Sequence, residues 1–341
     1  MVNLTQASRE LFSRSPDERF PSVEELWAHC CKQREQSRDR WQLPQTFRPQ
    51  VDGDRLVVAL GDDGAFTLND WSFSQFCSMA GIAKDTINRL SADTACRALR
   101  ETLPSADKPV QLLTSDNRIR SIHGVAYTRL WNADLLQVLR ECAGEFQPPP
   151  KGFNGATGLY SGEQDLFCFL IDPTSWVDIE GQNFAPGFFV WNSEVGRRTV
   201  GITTFWFQEV CQNHIVWNCE EVQTVTRKHT RGVGDALTEI RAAIRTLLEK
   251  QHAARDSFAA TIRKAMAEPT GDKEETMHIL TNQGVNRQMA KRAIDLIAAQ
   301  GQRLTIWTLV DALTQLTRDN QYAAVRVEAD QRASALLALA A

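Results

Sequence analysis

Residues Gly187 to Phe207 constrain the fold of this chain more than any other stretch. Two runs rich in aromatic and β-branched residues, Gly187-Phe-Phe-Val-Trp-Asn192 and Arg197 to Phe207, flank Ser193-Glu-Val-Gly196, a plausible turn between strands. In the second run Val200, Ile202, Thr204 and Trp206 alternate with Thr199, Gly201, Thr203 and Phe205, which is the two-residue period of a strand. A long hairpin with one unusually aromatic arm is therefore predicted. Asp235 to Ala267 comes next, with Leu237, Ile240, Ile244, Leu247 and Leu248 marking the buried stripe of a long helix that Pro269 and Gly271 close.

The remaining segments arrange themselves around that unit. Ser22-Val-Glu-Glu has the capping-box pattern, and the first forty-five residues read as a docking helix. Arg55 to Asn69 reads as two β-rich runs about a Gly/Asp turn. Ser72 to Leu103 returns to helical spacing, broken at Gly81 and near Ser91. Val110 to Leu113 is strand-like, Ser115-Asp-Asn is a turn, and Asp134 to Cys142 is a short amphipathic helix. Pro148-Pro-Pro150 and the glycines after it form the clearest loop, expected to be mobile. Leu166 to Ile171 is a short buried strand, and Glu275 to Ala341 is helical. The fold class expected is α+β: an antiparallel sheet with a long strand hairpin packed on helices, plus a helical C-terminal cap. The segments are 1–50 (N-terminal, helical), 51–267 (α+β core) and 268–341 (cap).

A chain of 341 residues with 43% hydrophobic and 23% charged residues is ordinary globular material. It contains no run of eighteen apolar residues and begins with a polar stretch, Met1 to Pro16, so a membrane span and a signal peptide are not expected and the cytoplasm is. Eight cysteines lie scattered in mostly apolar stretches with no Cys-x-x-Cys pair, the pattern of reduced, buried thiols. Net charge is −4, unevenly spread: residues 1–196 carry 19 Lys and Arg against 26 Asp and Glu, whereas residues 197–264 carry 11 against 7. Such asymmetry points to a basic face for a polyanion.

Phe73 to Leu90, Leu112 to Arg120 leading to Trp131-Asn-Ala-Asp-Leu-Leu136, Gly187 to Gly196, Val210-Cys-Gln-Asn213, Arg227-Lys-His-Thr230 and Thr305 to Thr314 occur in that order. The ordered set resembles a family of phage and plasmid-like proteins catalogued as a domain of unknown function (DUF932-like). The resemblance covers roughly residues 55 to 320 and lies in the order of the pieces, each of which is weak alone. It implies mobile-element biology and no reaction. The sequence departs from the family pattern at His123 to Thr128, where a Tyr-Arg-like pair is usual, and no role for that loop is implied.

The leading candidate site is a basic module: Arg197, Arg198, Arg227, Lys228 and Arg231, backed by Arg241 and Arg245 at helical spacing, with Trp191, Trp206 and Phe205 nearby in sequence. Cations that follow a backbone and rings that grip base faces are what binding of single strands requires. The competing reading makes the rings core and the cations ordinary surface, with Asp235 and Glu239 pairing Arg241 and Arg245. The order of hairpin and long helix is also that of strand-annealing proteins that assemble as rings or filaments, an analogy of architecture only. The function expected is single-stranded nucleic-acid binding or annealing in phage or plasmid recombination or replication, by a homo-oligomer without a cofactor.

Other readings are weaker. Ala80 to Leu90 has the loose pattern of a helix-turn-helix offering Lys84, Asn88 and Arg89, against a plain helical hairpin. Cys211, His214, Cys219 and His229 could close a zinc shell, but at a non-standard spacing. Asp165, Asp172, Asp178 and Glu180 could hold magnesium for a nuclease if the fold converged them. No hydrolase, phosphate-loop or dinucleotide signature is present, so no enzyme is expected. A protein-interaction factor, meeting its partner through Trp307 and the loop after Pro150, is the non-enzymatic alternative.

Overall fold

A computed structural model describes residues 19–53, 55–61, 64–149, 158–208, 214–217, 224–317, 333 and 335–340. In chain order the elements are α1 (Val23–Glu35), β1 (Ser37–Gln42), β2 (Phe47–Asp52), β3 (Arg55–Leu60), β4 (Ala65–Leu68), α2 (Asp70–Met79), α3 (Lys84–Ile87), α4 (Ala92–Thr102), β5 (Val110–Ser115), β6 (Arg118–His123) and α5 (Asn132–Cys142). There follow β7 (Leu159–Ser161), β8 (Leu166–Ile171), β9 (Val177–Ile179), β10 (Gln182–Asn192), β11 (Val200–Gln208), β12 (His214–Trp217) and β13 (Thr224–Arg227), then α6 (Asp235–Ala267), α7 (Lys273–Asn282), α8 (Arg287–Ala299) and α9 (Ile306–Thr317). The fold is α+β, as the sequence predicts, with a helical C-terminal region. Among the described residues no helix is long and apolar enough to cross a membrane.

The seven-stranded sheet is built on the expected hairpin. β10 and β11 pair antiparallel from Phe184↔Gln208 to Trp191↔Gly201. On its far side β10 takes β8 and β9 in turn, and β11 takes β12 and β13, so two long strands form the spine. Both faces are covered. Val190, Val200 and Ile202 join Leu135, Leu139, Ile240 and Ile244 in a core beneath α1, α5 and the first half of α6. Phe167, Phe169, Phe189, Phe205 and Phe207 form an aromatic layer on the other face.

The six-stranded sheet runs β1-β5-β6-β4-β3-β2 and is antiparallel except for β4 against β6. Helices α2 to α4 cover it through Phe76, Ile87 and Leu99. An Asn69–Ser72 capping box starts α2, satisfying backbone donors that a helix leaves open at its N-terminus. Residues 37–52 depart from the helical expectation. Pro44 starts a short 3₁₀ turn, and Pro49 lies in edge strand β2, where a missing N–H costs no ladder bond. The limit at residue 50 thus falls inside a strand.

Helix α6 spans 33 residues. Ala236, Ile240 and Ile244 lie in the first core, while Phe258, Ala259 and Ile262 enter a second core with α7 to α9, Phe184 and Trp206. Leu248 departs from the expected stripe at 42% exposure, because there the helix has left one core and not yet reached the next. The proline-glycine loop, apart from Pro148, Pro149 and Gly158, lies outside the described residues, as do residues 318–332, 334 and 341 of the stretch expected to be helical.

Candidate functional site at the tip of the hairpin

The turn between β10 and β11 does not end in solvent. Gly196 N–H donates to the Ser193 carbonyl at 3.0 Å, and Gly196 has φ 68°, a backbone region that glycine occupies without strain. A Cβ there would stand 2.7 Å from His123 Cε1 and 2.8 Å from Tyr127 Cε2, so the turn is pressed against the end of β6 and the loop after it. His123 and Tyr127 stack at 3.7 Å between centroids, and Tyr127 stacks on His229 at 5.5 Å. Three segments far apart in sequence meet here.

Hydrogen bonds fix the meeting point. Tyr127 donates its hydroxyl to the Glu194 carbonyl at 2.7 Å, and Arg129 Nη1 donates to the same oxygen. Trp71 Nε1 donates to the Val195 carbonyl at 2.8 Å, and His123 Nε2 lies 2.9 Å from it. The Glu194 carboxylate accepts from the Asn132 backbone at 2.9 Å and pairs with Arg120 at 3.3 Å, both side chains being buried. Arg129 also pairs with Asp39 of β1 at 2.6 Å. Removing one member of a buried pair leaves the other charge without compensation, a loss of roughly 3–5 kcal/mol, so this centre joins the two sheets firmly.

Burial, followed by the Arg129 guanidinium, pulls His123 down to about 4. Burial pulls His229 to about 4 as well, with Arg129 adding to it. The His229 ring nitrogens face the main chain of Thr128 and Arg198 without completing a hydrogen bond.

The predicted cations gather at this end of the seven-stranded sheet. Val200 of β11 pairs with Arg227 of β13, which sets Arg197 and Arg198 beside the run Arg227 to Arg231. Arg197 lies over the Trp71 ring at 4.9 Å and is pulled down by burial and then by Arg198. Arg198 pairs with buried Asp165 at 3.5 Å. Arg227 pairs with Glu239 of α6, which pushes the guanidinium up, and Arg241 pairs with Glu141 at 2.6 Å. The expected Asp235 and Glu239 pairing with Arg241 and Arg245 is thus replaced, for Glu239, by Arg227 of β13. Lys228 and Arg231 are exposed and form no ion pair among the described residues.

The rings do not fit their expected role. Trp206 is 3% exposed and stacks on Phe258 at 4.5 Å, and Phe205 is sealed in the aromatic layer. Trp206 is therefore core and not a base platform. The cause is legible in the strand itself: both alternating sets carry apolar residues, so both faces are buried. Trp191 is half-buried over Gly201, and its Nε1 donates to Thr199 at 3.2 Å.

The weaker candidates resolve similarly. Helix α3 is a single turn whose Lys84 pairs with Asp70, too short for a recognition helix. Asp165 holds Arg198, Asp172 accepts from Thr174 and Ser175, Asp178 accepts from Gly181, and Glu180 pairs with Arg263. Among the described residues no three His, Cys, Asp or Glu side chains group as metal ligands; Cys211 and Cys219 lie outside that set. Trp307 is 4% exposed against Phe184, which removes the anchor of the protein-interaction reading. The His123–Arg129 loop, Trp71 and Glu194 went unread as a site. Their signal was the set of short segments around 123, 194 and 229, whose adjacency only the fold reveals.

No curated protein and no solved structure matches the chain. A family model, described as a domain of unknown function, DUF932, matches residues 121–339, which takes in β10, β11, the turn between them and the whole of α6 to α9. The chain belongs to the DUF932 family.

Proposed function

We propose that the chain binds single-stranded nucleic acid through phosphate contacts at the hairpin tip. The observation that carries this reading is the Val200↔Arg227 register, which joins two basic runs almost thirty residues apart into one cationic edge. Lys228 and Arg231 provide its exposed charge, Arg197 is half-buried beside them, and Arg227 is shared with Glu239. Such contacts follow the backbone and ignore sequence. Strand holding or annealing by a homo-oligomer, in recombination or replication of a mobile element, is proposed with it on the sequence likeness.

Titrating a fluorescent oligothymidine at several salt concentrations tests the reading. Each phosphate contact on a single strand contributes about 0.7 to the slope of log affinity against log salt. Replacing Lys228 and Arg231 together by Ala is expected to lower that slope by about 1.4. Binding that is indifferent to salt, or untouched by the double change, would falsify the proposal.

A further inference from the structure

Among the tryptophans and phenylalanines whose side chains are described, only Trp41 is exposed, at 49%. It lies on β1, an edge strand of the six-stranded sheet. Trp41 pairs with Gln111 of β5, and Gln111 pairs with His123 of β6. Residues paired across antiparallel strands project to the same face, and neighbouring strands lie about 4.8 Å apart. Trp41 therefore shares a face with His123, about 10 Å away across two strands. Two residues back along β1, Asp39 projects to the same face and meets Arg129, which lies over the Tyr127 ring at 5.3 Å. The exposed indole thus borders the loop that leads, through the Thr128 N–H bond to the His229 carbonyl at 3.1 Å, to Lys228 and Arg231.

An indole left half in water on an edge strand forgoes burial that a folded chain ordinarily secures. The surroundings favour a nucleobase as what covers it. Asp39 is neutralised by Arg129, so it does not repel phosphate, and the exposed Lys228 and Arg231 lie beyond the loop that the indole borders. We propose that Trp41 is the base-stacking residue of the interface, holding one unpaired base by its ring face while the hairpin-tip cations hold the backbone. The inference rests on the nucleic-acid reading and supplies the ring that Trp206, buried, cannot.

The test uses the full chain, an oligothymidine and an abasic sugar-phosphate oligomer of equal length. Stacking of one base predicts that the wild type prefers the oligothymidine by roughly tenfold. Trp41→Ala is expected to erase that preference while leaving the salt slope unchanged, and Trp41→Phe to keep most of it. Unaltered thermal melts in both variants establish that the edge strand remains folded. Equal affinity of the wild type for the two oligomers, or a preference that survives Trp41→Ala, overturns the stacking assignment and leaves the phosphate reading standing. Failure of the wild type to bind either oligomer overturns both. Loss of a stoichiometric protein partner in Trp41→Ala, with the base preference intact, assigns the indole to that partner and overturns the proposal.

Discussion

His123 and His229 are the residues whose chemistry the fold changes most. In the unfolded chain each titrates near 6.5, whereas in the fold each titrates near 4. Between those values the unfolded chain binds protons that the native state refuses, so stability is full above about pH 6.5 and falls as the pH drops towards 4. The slope is about 1.4 kcal/mol per pH unit for each such histidine. Burial also lowers His29, which acts in the same direction. Urea midpoints measured from neutral pH downward are expected to fall through this window, and less steeply in His229→Phe. A variant whose slope equals that of the wild type would place the proton uptake elsewhere. His229 was visible in the sequence only as a doubtful zinc ligand, because the ring that covers it, Tyr127, is about a hundred residues away.

Among the elements, the β10–β11 hairpin shows what periodicity reveals and what it leaves open. The alternation in Val200 to Phe207 fixed the strand and its two sets of side chains, and both sets proved apolar enough to be buried. The same pattern argued against an accessible Trp206, since a strand with one wet face carries polar residues on it. Trp206→Ala is expected to cost about 3–5 kcal/mol, as large aromatic truncations in a core do. Chemical denaturation reads that loss, and the oligonucleotide salt slope of the folded variant should match the wild type. A variant of normal stability with weakened binding would restore Trp206 to the interface. Trp41 was missed for the opposite reason: its strand is short, mixed in polarity and paired with a partner about seventy residues on, so no local period marks it.

For the whole molecule, α6, like the hairpin, is shared by the first and second cores. It runs about 50 Å at 1.5 Å per residue, burying Ile240 and Ile244 at one end and Phe258 and Ile262 at the other. The C-terminal helices therefore complete a core that contains Phe184 and Trp206 of the hairpin. A chain ended after Ala267 is expected to bind a hydrophobic dye and to lose its cooperative melt; a sharp transition without dye uptake would make the two cores independent. The extent of α6 and its closure at Pro269 and Gly271 were legible because those signals are local. The division into three segments was less so, since strand partners such as β1 with β5 and β4 with β6 are chosen by sheet packing.

A hairpin tip is ordinarily the first backbone to meet water, yet here the carbonyls of Glu194 and Val195 are gripped by Trp71 of α2 and by Tyr127 and Arg129 of the loop that leaves the neighbouring sheet. The bend therefore works as a rivet between two plates, and it loosens only when the plates separate. Whatever settles on the cationic edge beside it meets a rigid anvil, and a ligand that needed the tip to yield would first have to prise the sheets apart.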